Sequence, residues 1–168
     1  MILTNDPSFS TGWGWAVIDE RTERLIDWGA SKHPSDKGKK ERVTEADARR
    51  FRSLAHWLHM MICNYHITTI ISETPDGSQS ARAAKLSGAT MGVLEAISIT
   101  MDIPLYFVYQ GDVKKFIFNK RNVEKGETQE FIVKNYDFNG AMPRSSWAKE
   151  AVCDAMAVYH YAKHNLKL

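Results

Sequence analysis

Residues 67–73, Ile-Thr-Thr-Ile-Ile-Ser-Glu, constrain the fold of this chain more than any other segment. A β-branched run with so few polar interruptions is the pattern of a strand covered on both faces, since a strand with one wet face alternates apolar and polar residues. Covering both faces takes helices, and the flanking sequence offers them. Upstream, Phe51, Leu54, Ala55, Leu58, Met61, Ile62 and Tyr65 recur at helical spacing. They follow Thr44, a residue able to cap a helix whose first turn carries Glu45 and Asp47. Downstream, residues 79–101 read as a long helix dense in small side chains (Ala81, Ala83, Ala84, Ser87, Gly88, Ala89, Gly92), which permit close approach of another element. Residues 104–109 (PLYFVY) give a further strand, and helices follow near 111–118, 125–137 and 147–166. The last of these carries Ala151, Ala155, Val158, Tyr159 and Ala162 on one side.

The N-terminal part has a different rhythm. Residues 1–6 (MILTND) read as a strand ending at Asp6-Pro7, because proline cannot donate to a sheet ladder and restricts its predecessor. Residues 13–19 and about 24–31 are two β-rich runs joined by Glu20–Glu23, which predicts an antiparallel hairpin beside the first strand. Residues 32–43 are polar and read as a surface loop. Three antiparallel strands followed by helix, strand, helix, strand and helices predict an α/β architecture, a five-stranded mixed sheet with helices on both faces. A chain of 168 residues fits one domain, 1–168, with one sizeable core.

Several classes are disfavoured. The start Met-Ile-Leu-Thr-Asn-Asp lacks the basic residues and apolar run of a signal peptide, and no stretch approaches the roughly 18 apolar residues of a membrane span. These features predict a cytoplasmic protein without membrane association. Cys63 and Cys153 form no CxxC pair and sit among apolar residues, so both read as buried thiols. No glycine fingerprint for a nucleotide phosphate is present, which argues against a nucleotide cofactor.

The chemistry lies in the acids. Asp6 closes the first strand, Glu73 closes the fourth, and Glu150 and Asp154 stand four apart on the last helix, so both can point the same way. Singly, each has a structural reading as a turn residue, a strand-end charge or the wet side of a helix. Asp154, however, interrupts the apolar stretch AVCDAMAVY, where a charge needs partners or a metal. If strands one and four are neighbours the acids can converge, and such a cluster repels itself unless cations occupy it. Hard oxygen ligands suit magnesium, with manganese able to substitute. Two ions about 4 Å apart can hold the attacking water and the leaving oxygen of a phosphodiester displacement.

The formal net charge is only +2, but the basic residues cluster. One group is Lys32, Lys37, Lys39, Lys40, Arg42, Arg49, Arg50 and Arg52, and another is Lys114, Lys115, Lys120, Arg121 and Lys125. Acids interleave with both, so each can equally be a solvated surface. Ser8, Ser10, Ser78 and Ser80 are loop hydroxyls able to reach a backbone phosphate, with Arg82 beside the last. His160 and His164, at i and i+4, lack a third ligand and read as solvated helix histidines. Trp13 and Trp15 alternate with glycine and read as packing under a helix rather than as base-stacking platforms.

From Ile2 to about Ala162 the sequence resembles the RuvC-type Holliday junction resolvases, which have the ribonuclease H-like fold. ILTNDPSFSTGWGWAVID resembles that family's opening strand and implies Asp6 as a metal ligand. IISETPDGSQSARAAKLSGATMGVLEAI resembles its glutamate strand and small-residue helix, with Glu73 as the second ligand. VKKFIFNKRNVEKGETQEFI resembles its basic stretch, in which two lysines lie eleven residues apart, as Lys114 and Lys125 do (125 minus 114). KEAVCDAMAVYHYA resembles its closing helix and implies Asp154 as a ligand. Two departures stand out. The family's third acid or histidine falls three residues before the last aspartate, where this chain has Ala151 and the nearest acid is Glu150. The aromatic wedge that members carry after the strand-four glutamate has no counterpart in Thr74-Pro75-Asp76-Gly77, leaving the 75–84 loop as the place for junction contacts.

The resemblance implies a magnesium-dependent endodeoxyribonuclease that binds four-way junction DNA as a homodimer, nicks two symmetric strands and leaves 5′ phosphates. Asp6, Glu73, Asp154 and Glu150 would hold two ions, Lys125 would join them in the catalytic set, and Lys114, Lys115, Lys125, Ser80 and Arg82 would contact nucleic acid. The helix 79–101 is the natural dimer face. Two other readings stay open: a nuclease of the same fold that trims structured RNA, like the YqgF-type relatives, and a junction-binding protein without catalysis.

Overall fold

The computed structural model describes residues 1–8, 12–32, 41–74, 80–138 and 142–166, the side chains of Ser8 and Lys125 excepted. Three strands open the chain: β1 (Ile2–Ser8), β2 (Gly12–Ile18) and β3 (Leu25–Ser31). Then come α1 (Val43–Tyr65), β4 (Thr69–Thr74), α2 (Ala81–Met101) and β5 (Leu105–Tyr109). The last three helices are α3 (Gln110–Phe118), α4 (Lys125–Asn135) and α5 (Ser146–Asn165). The five strands form one sheet in the order β3-β2-β1-β4-β5. β1–β2 and β2–β3 are antiparallel, β1–β4 and β4–β5 parallel, as the order of elements predicts.

Each face of the sheet has its own core, because alternate residues of a strand point to opposite sides. Leu3, Val17 and Ile70 pack with Leu54, Leu58 and Ile62 of α1 and Leu94 of α2. Ile2, Ile18, Ile71 and Val108 pack with Cys153, Met156 and Ala157 of α5, Val113 of α3 and Ile132 of α4. Trp13 is buried in the first of these cores, its ring 6.0 Å from that of Trp57, and Trp15 lies 6.1 Å from the same ring. Both tryptophans therefore lie under α1, as their alternation with glycine predicts.

Local details correct the sequence reading. β1 runs through Pro7 to Ser8 instead of ending at Asp6. Its pairing with β4 stops at Asn5↔Ser72, so beyond that point β1 has a neighbour on one side only, where a residue without an N–H is tolerated. Arg42, not Thr44, is the N-cap of α1; its backbone N–H donates to Glu45 Oε2 at 2.8 Å, so a first-turn acid closes the end that a hydroxyl is expected to close. Ser80 caps α2, its Oγ accepting from the Ala83 N–H at 3.1 Å, and residues 81–84 are helix rather than loop. Cys153 is buried as expected, but Cys63 is exposed, since it falls on the side of α1 opposite Leu58 and Ile62. His160 is not a solvated histidine: Tyr136 Oη lies 2.8 Å from its Nδ1, Phe131 packs against its ring, and burial presses its pKa down to about 4. Among the described residues no helix is long and apolar enough to cross a membrane.

Candidate active site

The register of the sheet brings the acids together. β1 and β4 are adjacent and parallel with Asn5 opposite Ser72, so the next residue of each strand, Asp6 and Glu73, lies side by side. Counting alternately from Ile2 and Ile71, both side chains fall on the face covered by α5. On β2, the partner of Asp6 is Gly14. A Cβ added there would lie 1.8 Å from the Ala151 carbonyl oxygen, so the absence of a side chain is what lets α5 rest directly on the sheet. Ala151 is itself buried, 4% exposed, with its backbone against Gly14 of β2. The acid stands instead at Glu150, half-buried on the neighbouring part of the helix and close enough to act electrostatically on Asp6.

Charge is crowded here. Burial, reinforced by Glu150 and eased by Lys114, pushes the Asp6 carboxyl up to about 7. Glu73 is 5% exposed, and its carboxyl is raised well above the usual range, first by burial and then by Asp6 and Asp154; Lys114 and a hydrogen bond from Gln110 oppose the rise. The acids thus interact in a series: Glu150 with Asp6, Asp6 with Glu73, and Glu73 with Asp154. Lys114 lines a hollow with Glu73, Gln110, Thr128 and Asp154. Lys125 begins α4, three residues before Thr128.

The donor set fits a hard divalent cation in its chemistry, being four carboxylates crowded together, with Lys114 and a hydrogen bond from Gln110 opposing the rise at Glu73. Among the described residues no three acids, histidines or cysteines are arranged to hold an ion as they stand.

The remaining candidates lie outside this cluster. Lys115 is exposed on α3. Ser80 is occupied as a helix cap, and Arg82 pairs with Asp47 at 3.0 Å. Part of each basic cluster is likewise neutralised, Arg49 by Glu41 at 3.0 Å, Lys120 by Glu127 at 2.7 Å and Arg121 by Asp112 at 3.7 Å. Lys32 sits over the Trp147 ring at 4.3 Å. Ser10, Ser78, Lys37, Lys39, Lys40 and residues 75–79 lie outside the described residues. Two residues that sequence reasoning missed shape the site. Gly14 is hidden in its alternation with tryptophan, and Gln110 had one available signal, its spacing of four residues from Lys114 on the same helix.

No protein-family model and no curated protein matches the sequence. Solved structures do match the fold. The RuvC of Thermus thermophilus in complex with Holliday junction substrate superposes with a TM-score of 0.65 at 18% identity, covering 97% of this chain and 94% of that one. A second structure of Thermus thermophilus RuvC gives 0.64 at 18% identity, over 97% and 95% of the two chains. The yeast mitochondrial Holliday junction resolvase Ydc2 gives 0.66 at 13% identity, over 98% and 80%. At such identities the likeness is one of architecture, and it extends over nearly the whole length: the chain has the ribonuclease H-like fold in the form seen in the RuvC resolvases.

Proposed function

We propose that this chain is a divalent-cation-dependent endonuclease that resolves four-way DNA junctions by paired, symmetric nicks. The observation that carries the reading is the crowding of Asp6, Glu73, Asp154 and Glu150 at one place of the sheet, in a fold shared with junction resolvases. Like charges gathered at that density destabilise a protein, and bound cations, as in a cation-dependent phosphodiesterase, would relieve the repulsion. Magnesium or manganese, when bound, provides the positive charge that activates a water and stabilises the departing 3′ oxygen, giving 5′ phosphate ends.

The chain's own groups then have definite work. Asp6 and Glu73 hold the cations from the sheet, and Asp154 and Glu150 hold them from α5. Lys114, already beside Asp6 and Glu73, binds the phosphate of the cut strand, and Lys125 contacts the same backbone. Lys115 and other members of the basic clusters add salt-sensitive affinity. A four-way junction offers two equivalent strands, so the protein acts as a homodimer. On α2, Lys85, Gly88, Gly92, Glu95 and Ile99 form one exposed stripe; nothing lies within 4 Å of a Cβ placed at either glycine, and Ile99 is 77% exposed, which supports this face as the dimer contact.

The test is incubation with a synthetic four-way junction, with and without magnesium, using wild type and Asp6→Asn. Symmetric nicking by the wild type and binding without nicking by the variant support the reading. Nicking by Asp6→Asn in magnesium overturns the site. A second reading, a junction binder without catalysis, is favoured by the lack of a ready three-ligand cluster among the described residues; binding that is indifferent to magnesium, with no nicking by wild type, would establish it. Faster cutting of structured RNA than of junction DNA would point instead to the RNA-trimming relatives.

A further inference from the structure

The carboxylate of Glu73 is not positioned by the acids alone. Gln110, half-buried as the first residue of α3, donates from Nε2 to Glu73 Oε1 at 3.0 Å. When Glu73 is ionised, as a cation ligand must be, its carboxylate offers only acceptors, and the amide nitrogen is the group that faces it. The placement follows from the backbone: Glu73 is the register partner of Val108 on β5, and α3 begins where β5 ends, so Gln110 stands two residues beyond that partner. Lys114 follows one turn later on the same side of α3 and lines the hollow with Gln110, Glu73 and Asp154. One helix face thus presents a neutral donor and a cation to the same carboxylate. The lysine can move onto a phosphate when DNA arrives, whereas the amide carries no charge and has no competing anion to follow.

We propose that Gln110 is a positioning residue: its amide fixes Oε1 of Glu73, leaves Oε2 as the oxygen offered to the divalent cation, and so sets the affinity of the site for that cation. This rests on the cation-binding reading above. Partners that orient a metal's ligands typically change affinity or activity by about 10- to 100-fold when removed.

The experiment measures Mn2+ binding to the full chain without DNA, from the electron paramagnetic resonance signal of the free ion, for wild type, Gln110→Met and Gln110→Ala. Methionine keeps the length of the side chain and removes the donor; alanine carries the test should the methionine variant not fold. In both variants the Mn2+ Kd is expected to rise about tenfold or more. The magnesium concentration for half-maximal junction nicking rises in step, while junction affinity without divalent ions stays at the wild-type value and the melting temperature falls by no more than the few degrees that one lost hydrogen bond costs. A Kd within about twofold of wild type in a folded variant overturns the inference, as does a fall in melting temperature with unchanged Mn2+ affinity. If wild type itself binds no Mn2+, the carboxylate site falls and this inference with it; wild type that binds while the variants bind equally well removes the inference alone.

Discussion

Two neighbouring pairs on the same two strands behave in opposite ways. Asn5 and Ser72 are register partners, both 0% exposed, and face the α1 and α2 layer; Ser72 Oγ donates to Asn5 Oδ1 at 2.8 Å. One residue further along, Asp6 and Glu73 face α5; burial and Glu150 raise the cost of ionising Asp6, and burial, Asp6 and Asp154 raise that of Glu73. Both pairs are polar groups at the same edge of the same sheet. The first is neutral and satisfied internally, so it is complete as it stands. The second is two acids whose charges nothing among the described residues fully balances, the arrangement on which the proposed cation site rests. Burial of polar residues therefore carries no functional meaning by itself; what separates a structural pair from a working one is whether the partners answer each other.

The largest break in that comparison is Asp6→Asn, which makes the second pair resemble the first. Junction cleavage in magnesium is expected to fall by roughly a thousandfold or more, with junction affinity retained, as read in a nicking assay beside a gel-shift titration. Next is Gly14→Ala. Its methyl group would fall 1.8 Å from the Ala151 carbonyl oxygen, so α5 must lift from the sheet. A loss of about 3 kcal/mol is expected, lowering the melting temperature by roughly 6–12 °C. Because Glu150 and Asp154 ride on that helix, cleavage falls beyond what the stability loss explains; a folded Gly14→Ala protein with wild-type nicking would show that α5 need not touch β2 to complete the site.

The sheet and its acids were legible in the sequence for a physical reason. The β-branched run Ile67–Ile71 leads into residues buried on both faces from Ile70 onward, and an acid ending such a run, like one inside AVCDAMAVY, conflicts with its surroundings. Features set by tertiary contact were not legible. Gln110 is an ordinary helix-start residue until β5 places it beside Glu73. Gly14 looks like the counterpart of a tryptophan pair until α5 is seen on it. The capping of α1 misled because Thr44 and Glu45 both suit a helix start, and only geometry shows that the carboxylate is the group used. Cys63 and His160 misled in opposite directions, since an apolar stretch has an outer side and a polar ring can sit inside an aromatic cluster.

Titration sharpens the comparison at an intermediate scale. The Asp6 carboxyl rises from 3.8 to about 7 in the folded chain, so between those values the folded state holds a proton that the unfolded state has released. Its contribution to stability is present below about pH 4 and lost as the pH rises through about 7, and Glu73 acts in the same direction. His160 runs the other way, because its depressed pKa favours the fold as the pH climbs from about 4 to 6.5. The difference between wild type and Asp6→Asn isolates the acid. Without divalent ions, Asp6→Asn is expected to gain on wild type by roughly 5 °C in melting temperature between pH 5 and pH 8. Magnesium then narrows the gap at pH 8 by stabilising wild type alone. A gap that does not grow with pH would mean that burial and Glu150 do not raise the Asp6 carboxyl in the fold.

The smallest effect belongs to the satisfied pair, and it tests the other half of the comparison. Ser72→Ala removes the hydroxyl that Asn5 Oδ1 accepts from and leaves that oxygen buried; among the described residues the other hydrogen bond of the Asn5 side chain, from Nδ2 to the Ile71 carbonyl at 3.5 Å, is a donor bond and cannot replace it. An unpaired buried acceptor costs about 1–3 kcal/mol, and some of that is recovered because serine's own hydroxyl no longer needs a partner, so a melting temperature lower by roughly 2–6 °C is expected. The change sits one residue before Glu73 but on the opposite face, and it alters no charge. Nicking at a temperature where both proteins are folded should therefore match wild type to within about a factor of two, since the lost bond contributes to folding and not to the carboxylate cluster. A large loss of cleavage in a folded Ser72→Ala protein would mean that the two faces of β4 are coupled and that the neutral pair helps to aim the charged one.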